Sequence, residues 1–164
     1  MAGAVRALAE GTAWAVGGVL AWTLAEYLLH RFDMHGRRSR GTTSREHRRH
    51  HAAVDVPVIT AGTWVGPALA SVFLAWAVHP AAGAGGMAAY VAFELLHRHI
   101  HARGWADGEC PAPEPGPLGR YGRWARAHHV HHHRVDARSN FGITTPLWDV
   151  VFRTRRRNPR TTRP

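Results

Sequence analysis

Apolar and polar residues occur in long separate blocks along this chain. Residues 7–29 are almost all apolar and carry only two acidic side chains. A second, uncharged run covers residues 56–78, and a third begins near Met87 and ends at His97. An α-helix rises about 1.5 Å per residue, so about 20 apolar residues cross the hydrocarbon core of a bilayer. The pattern therefore predicts an all-α integral membrane domain with about three transmembrane helices.

The polar segments predict the connections between these helices. Residues 31–54 are polar and basic, which places them outside the bilayer. The stretch HPAAGAGG at residues 79–86 is short and rich in glycine, which predicts a tight turn. Residues 104–119 contain four prolines and four glycines and predict a loop. A helix over residues 121–133 should follow, and then a turn and a short amphipathic helix that starts near Pro146.

Two other interpretations of the apolar runs stay open. The runs could form the buried helices of a globular bundle. The first run could also be a secretory signal peptide, because Arg6 precedes it. However, this run leads directly into His30, without a small-residue cleavage site followed by polar sequence. A retained membrane span is therefore the preferred interpretation.

The distribution of charge predicts the orientation in the membrane. All 21 basic residues are arginine, and the net charge is +10. Seven of these arginines lie within residues 31–49 and six within residues 153–163, whereas residues 56–93 carry no charged side chain. Basic segments next to membrane spans are typical of the cytoplasmic side, and three spans would place both segments there. A nucleic-acid binder is disfavoured by this split, and the single Cys110 excludes an intramolecular disulfide, a thiolate zinc finger and an iron–sulfur cluster.

Ten of the 14 histidines form short groups with recurring spacing. Two groups read H-x-x-H-H, one reads H-x-x-x-H, and residues three or four apart share a helix face. The two members of the remaining pair, His30 and His35, are five apart and about 140° apart on a helix, so their convergence requires the helix to end near residues 33–36. We predict that ten imidazoles converge in a cytoplasmic helical cap: His30, His35, His47, His50, His51, His97, His101, His129, His132 and His133. The other four, His79, His99, His128 and His131, are assigned to packing or to the surface.

The number of imidazoles favours two metal ions. Neutral imidazole binds iron, zinc, copper and nickel, and one such ion accepts at most about six ligands. Four or five imidazoles for each of two ions would leave positions for oxygen or water. Nearby carboxylates could accept a hydrogen bond from the second nitrogen of a ligand; the candidates are Glu26, Asp33, Glu94 and Asp136.

The motif series resembles that of a known superfamily. The segments HRFDMH, HRRHH, HRHIH and HVHHH, closed by NFGITTPLWDVVF, are similar to the fatty acid hydroxylase/sterol desaturase superfamily of membrane-bound di-iron enzymes. The resemblance covers about Glu26 to Thr154 and implies one helical membrane domain over residues 1–164, with a basic tail at 155–164. It also implies that the ten histidines hold two iron ions, with zinc as an alternative metal, at the cytoplasmic face.

The activity that this resemblance implies is oxidation of a lipid. O2 and two electrons would hydroxylate or desaturate a C–H bond, with a fatty acyl chain as the expected substrate. The sequence has no dinucleotide-binding glycine motif and no haem motif, so a separate reductase, ferredoxin or cytochrome would supply the electrons. We expect a protein of a bacterial cell membrane without a nucleic-acid partner. Two alternatives stay open. The first is a carotenoid or sterol hydroxylase or desaturase, because the short chain and its opening motifs are also similar to bacterial carotenoid hydroxylases. The second is a non-redox zinc protein.

Overall fold

The computed structural model describes residues 1–36, 40–52, 64–102 and 116–156. All regular secondary structure within these ranges is helical, which confirms the predicted all-α class for them. The elements in chain order are α1 (Ala2–Leu28), a π-helical turn (Leu29–Met34), α2 (Thr42–Ala52), α3 (Val65–Ala77), α4 (Pro80–Ala102), α5 (Gly116–Arg134) and α6 (Leu147–Val151).

One helix in the described ranges is long and apolar enough to cross a membrane. It covers Ala2–Met34, which combines α1 with the π-helical turn. Helix α3 is also apolar but has 13 residues, so it is about 20 Å long. The predicted second run starts upstream of α3, and its residues 56–63 lie outside the described ranges. Large apolar side chains such as Leu8 on α1 and Trp76 on α3 are exposed.

The chain divides into two compact units. Among the described residues, the first unit contains 1–25 and 64–94, and the second contains 26–36, 40–52, 95–102 and 116–156.

Small residues bring the helices of the first unit into contact. A Cβ atom on Gly18 of α1 would overlap the carbonyl oxygen of Ala82 in α4. A Cβ atom on Gly85 of α4 would overlap the carbonyl oxygen of Ala15, and Gly83 faces α3 in the same way. Backbones approach this closely only where side chains are absent, as in the small-residue interfaces of membrane helices.

The predicted turn at residues 79–86 is wrong. Helix α4 begins at Pro80, so the glycine-rich stretch forms its first turns. Proline suits the start of a helix because it lacks only an N–H that would have no partner inside the helix. His79 completes this helix start, because its Nδ1 accepts a hydrogen bond from the N–H of Ala81 at 3.1 Å. The glycines therefore serve helix packing, and the connection from α3 is shorter than predicted.

Two helices of the second unit follow the predictions with shifted boundaries. Helix α5 begins at Gly116, five residues before the predicted start, so residues 116–119 of the predicted loop are helical. The rest of that loop lies outside the described ranges, as does the tail from residue 157 onward. Helix α6 follows Pro146, as predicted.

The end of α1 is attached to the C-terminal segment through Tyr27. This side chain is fully buried, and its ring stacks on Phe152 at 5.1 Å. Its hydroxyl lies 3.0 Å from Oγ1 of Thr154 and accepts a hydrogen bond from Arg31 at 2.7 Å. These contacts hold the first histidine pair, which follows Tyr27 in the chain, close to residues 139–154.

Candidate metal centre

A π-helical turn brings the first two histidines together. The N–H of His35 bonds to the C=O of His30 at 3.2 Å, the i to i+5 pattern of a π-helix. The two ring centroids are 5.1 Å apart. The helix ends at Met34, within the predicted range. The wider turn, which the sequence analysis did not anticipate, brings the imidazoles together.

Five imidazoles form a first group, with two from the π-helical turn, two from α2 and one from α5. The Nε2 atom of His47 lies 3.1 Å from that of His30, 2.9 Å from that of His35 and 3.0 Å from that of His51. The Nε2 atom of His132 lies 3.0 Å from that of His35 and 3.2 Å from that of His51. The five potential ligand atoms all lie within 4.8 Å of one another.

Four imidazoles form a second group, from α2, α4 and α5. The Nε2 atoms of His97, His101 and His129 lie 3.0–3.1 Å apart. His50 completes this group, and its ring centroid is 4.4 Å from that of His101. His133 adjoins the group, because its Nε2 lies 3.1 Å from that of His129. The structure therefore brings nine of the ten predicted imidazoles into two groups and places the tenth, His133, next to the second.

The two groups lie side by side. The rings of His51 and His133 stack at a centroid distance of 4.0 Å, and those of His129 and His132 stack at 6.0 Å. Each pair joins a residue of the first group to one in or next to the second. Two metal ions held by these groups would be close neighbours.

The spacing of the nitrogen atoms fits ligands that share an ion. Two nitrogens at right angles around a metal, each about 2.1 Å away, would be about 3.0 Å apart. The contacts within the first group measure 2.9–3.2 Å. Direct hydrogen bonds cannot satisfy all of these contacts, because a neutral imidazole has a single N–H. The donor set and its spacing thus suit a first-row metal in each group.

Burial keeps these imidazoles neutral. Desolvation lowers the pKa of His35 to about 4, and desolvation with nearby histidines lowers that of His51 to about 4. Desolvation also lowers the pKa of His132 to about 3 and those of His47 and His129 well below the ordinary value. A metal ion needs the lone pair of the neutral form. At neutral pH these side chains are therefore ready to bind a cation.

A family model described as "Fatty acid hydroxylase" matches residues 15–154, a range that contains all ten imidazoles. The chain belongs to the fatty acid hydroxylase family.

Several members of this family resemble the chain in sequence. The fatty acid 2-hydroxylases of Rattus norvegicus and Homo sapiens are 32% and 30% identical to it over 154 and 151 residues. Each alignment covers 84% of this chain and 38% of the relative. A dihydroceramide fatty acyl 2-hydroxylase of Arabidopsis thaliana is 29% identical, with 85% of this chain and 59% of the relative covered. The chain thus spans less than two thirds of the length of these relatives. No solved structure matches it significantly.

In this member of the fatty acid hydroxylase family, main-chain carbonyls orient two of the imidazoles. Nδ1 of His30 donates to the C=O of Phe141 at 2.5 Å, and Nδ1 of His132 donates to the C=O of Ser139 at 2.7 Å. A carbonyl only accepts, so each Nδ1 carries the proton. Each Nε2 therefore presents a lone pair to the first group.

Two of the four carboxylates proposed for this orienting role make other contacts. Glu26 accepts hydrogen bonds from the N–H of Ile143 at 2.5 Å and from the N–H of Thr144 at 2.9 Å. Asp136 accepts from the N–H of Arg138 at 2.9 Å. Glu26 therefore supports the segment that carries the two carbonyls, and Asp136 supports a turn.

Sequence reasoning did not identify Asp149 as important. This carboxylate is fully buried, and its Oδ1 accepts from the N–H of Phe141 at 2.9 Å and from the hydroxyl of Thr154 at 2.7 Å. Its Oδ2 accepts from the N–H of Gly142 at 2.8 Å and from Nε2 of His128 at 3.1 Å. The available signal was an acidic residue inside the otherwise apolar run PLWDVV.

The four histidines assigned to packing or to the surface lie outside both groups. His128 bonds to Asp149, and the ring of His79 stacks on Trp14. His131 is buried, and His99 is exposed. The spacing rules thus separated the converging histidines from the others.

Proposed function

We propose that the chain is a membrane-bound di-iron oxygenase that hydroxylates a C–H bond of a fatty acyl chain. One atom of O2 would enter the C–H bond, and the other would leave as water with two protons and two electrons. The observation that carries this proposal is the pair of adjoining imidazole groups in a chain of the fatty acid hydroxylase family. The names of the relatives make position 2 of an acyl chain the first position to test.

The proposed ligands of the two iron ions are the ten clustered histidines. Iron bound there would supply the activation of O2 that an unreactive C–H bond requires, and zinc would occupy the same nitrogens without redox chemistry. The support is the nitrogen spacing and the neutral state of the imidazoles described above. The ligand set is His30, His35, His47, His50, His51, His97, His101, His129, His132 and His133.

The protein itself would hold these ligands in place and keep water away. The carbonyls of Phe141 and Ser139 fix the ring orientation of His30 and His132. Both imidazoles are almost completely buried, so bulk water cannot compete for their lone pairs. Preorganised ligands lower the cost of binding the metal in the required geometry.

We further propose three transmembrane helices, with the metal centre at the cytoplasmic face. Exposed apolar side chains on α1 and α3 support contact with lipid. Helix α4 has 23 residues, a length of about 34 Å that is enough to cross a bilayer. The arginine-rich segments support the cytoplasmic orientation. The relatives named above come from mammals and a plant, so a bacterial membrane stays a prediction.

The electrons would come from a reductase, a ferredoxin or a cytochrome. Arginines flank the histidines of α2, and Arg48 and Arg49 are both exposed. A basic surface of this kind would attract an acidic electron carrier. We therefore propose that the donor docks on a surface of this chain that includes α2.

Expression in a host without this activity, followed by lipid analysis, tests the proposal. We expect a 2-hydroxylated acyl lipid with the wild type and none with His132→Ala. His79→Ala is the matched control, because His79 lies outside both groups, and it should retain the product. An oxygenated carotenoid or sterol would overturn the acyl substrate. The same product from His132→Ala would overturn the site, and zinc content without O2 consumption would favour a non-redox protein.

A further inference from the structure

We infer that Asp149 is a positioning residue for His30 and acts through the one peptide group that joins Phe141 to Gly142. This inference rests on the proposed function, because it takes His30 as a metal ligand. Asp149 lies at the opposite end of this peptide group from the imidazole, so the hydrogen-bonded connection between Asp149 and His30 runs through the main chain.

The two hydrogen bonds of this peptide group define the path. Its N–H, on Gly142, donates to Oδ2 of Asp149 at 2.8 Å. Its C=O, on Phe141, accepts from Nδ1 of His30 at 2.5 Å. The peptide is planar and conjugated, so a negative charge at the N–H increases the electron density on the oxygen. Hydrogen bonds in such a chain strengthen one another in a buried setting.

The arrangement resembles the common pairing of a carboxylate with a metal-bound histidine, with a peptide group inserted between them. A direct carboxylate partner fixes the tautomer of the imidazole and raises its basicity as a ligand. Burial alone would raise the pKa of Asp149. Hydrogen bonds from His128, Thr154 and Gly142 reverse this effect and hold its pKa below the ordinary value. The carboxylate is therefore charged at neutral pH.

The local backbone is shaped for this contact. A Cβ atom on Gly142 would lie 3.0 Å from Oδ2 of Asp149 and would overlap the carbonyl oxygen of Thr145. A side chain at this position would push the peptide away from the carboxylate. The N–H of Phe141 donates to the other oxygen, Oδ1, at 2.9 Å. Two consecutive amides thus fix the carboxylate in one orientation.

His132 provides an internal comparison. The C=O of Ser139 accepts from its Nδ1, and the N–H of the same peptide group, on Asn140, donates to the C=O of Thr154 at 3.1 Å. This second path ends on a neutral carbonyl instead of a carboxylate. Of these two imidazoles, only His30 is connected through its peptide group to a negative charge.

Metal titration of Asp149→Asn tests the inference. The full chain in detergent is stripped of metal and titrated with Co²⁺, and visible absorption follows the two binding steps. We expect the affinity of one step to fall roughly ten-fold, the lower end of the usual effect of an outer partner. The other step should stay unchanged, because the second imidazole group does not contain His30. Asp136→Asn, the matched loss of one carboxylate, should leave both steps unchanged.

A second measurement on the wild type does not depend on whether the variant folds. NMR of the ¹⁵N-histidine-labelled apo chain should show a proton on Nδ1 of His30, with a resonance further downfield than that of His132. The loss of this signal in His30→Gln assigns it. Equal resonances, or a proton on Nε2 of His30, would overturn the inference.

The outcomes separate this inference from the proposed function. If the wild type binds two ions and Asp149→Asn leaves both steps unchanged, or weakens both equally, only the role of Asp149 is wrong. If the wild type itself binds no metal and forms no hydroxylated lipid, the proposed function fails.

Discussion

At the scale of single residues, the motif H-x-x-H-H divides its members between the two imidazole groups. On α2, His47 and His51 are four apart and join the first group, whereas His50 joins the second. On α5 the assignment is reversed, because His129 belongs to the second group and His132 to the first. On a helix, the side chain at i+4 is rotated slightly to one side of the side chain at i, and the side chain at i+3 is rotated to the other side. Two copies of one motif can therefore serve two neighbouring ions.

This division predicts the effect of removing one imidazole. If the two groups hold the two proposed iron ions, His129→Ala should lower the iron content from about two ions per chain to about one, because only the second group loses a ligand. The measurement is metal analysis by mass spectrometry on the purified chain. His99→Ala, an exposed residue on α4, is the control and should retain both ions. Full iron content in His129→Ala would contradict the assignment.

At the scale of helices, the contact of α1 with α4 depends on glycine. Gly17 and Gly18 are adjacent on α1, but a Cβ atom on Gly17 would meet nothing within 4 Å, whereas one on Gly18 would overlap the backbone of α4. Both glycines lie inside the same helix, so the difference between them is whether an added side chain would contact α4.

Alanine substitution should therefore have opposite effects at these two glycines. Gly18→Ala should lower the free energy of unfolding by about 1–3 kcal/mol, the usual cost of overpacking. Gly17→Ala should leave it unchanged or raise it by about 0.5–1 kcal/mol, because alanine favours a helix over glycine. Thermal unfolding in detergent compares the two. Equal stability of both variants would show that the helices can separate at this point without cost.

The length of the apolar runs predicted most of the helices, and the spacing of the histidines predicted which of them converge. Both predictions depend only on the identity and position of side chains, which the sequence gives directly. The helical start at Pro80 was not predicted, since a glycine-rich stretch serves either a turn or a close helix contact. The π-helical turn at Leu29–Met34 depends on one main-chain hydrogen bond. The role of Asp149 likewise depends on main-chain N–H groups. Every residue except proline supplies such a group, so the sequence does not show which of them Asp149 contacts.

At the scale of the whole molecule, the proposed docking of an acidic electron donor on α2 predicts an electrostatic effect on electron transfer. Arg49→Glu should slow reduction by an acidic donor at low salt, and the difference from the wild type should vanish at high salt, where charges are screened. Arg6→Glu is the matched control, because three spans would place Arg6 on the opposite side of the membrane. Stopped-flow reduction at several salt concentrations measures the effect. The same rate and salt dependence in Arg49→Glu and the wild type would exclude this surface from donor docking.

The main-chain carbonyls of Ser139 and Phe141 have a consequence for mutagenesis. Alanine at either position retains the carbonyl that orients the imidazole. An alanine scan will therefore underestimate how strongly this segment determines the orientation of the two imidazoles. Positions that set the backbone path should be far more sensitive. Asn140 is one, because it adopts a positive φ of 55° that few other side chains tolerate, and Gly142 is the other. Substitutions at these two positions would therefore disturb the imidazole groups without replacing any of their histidines.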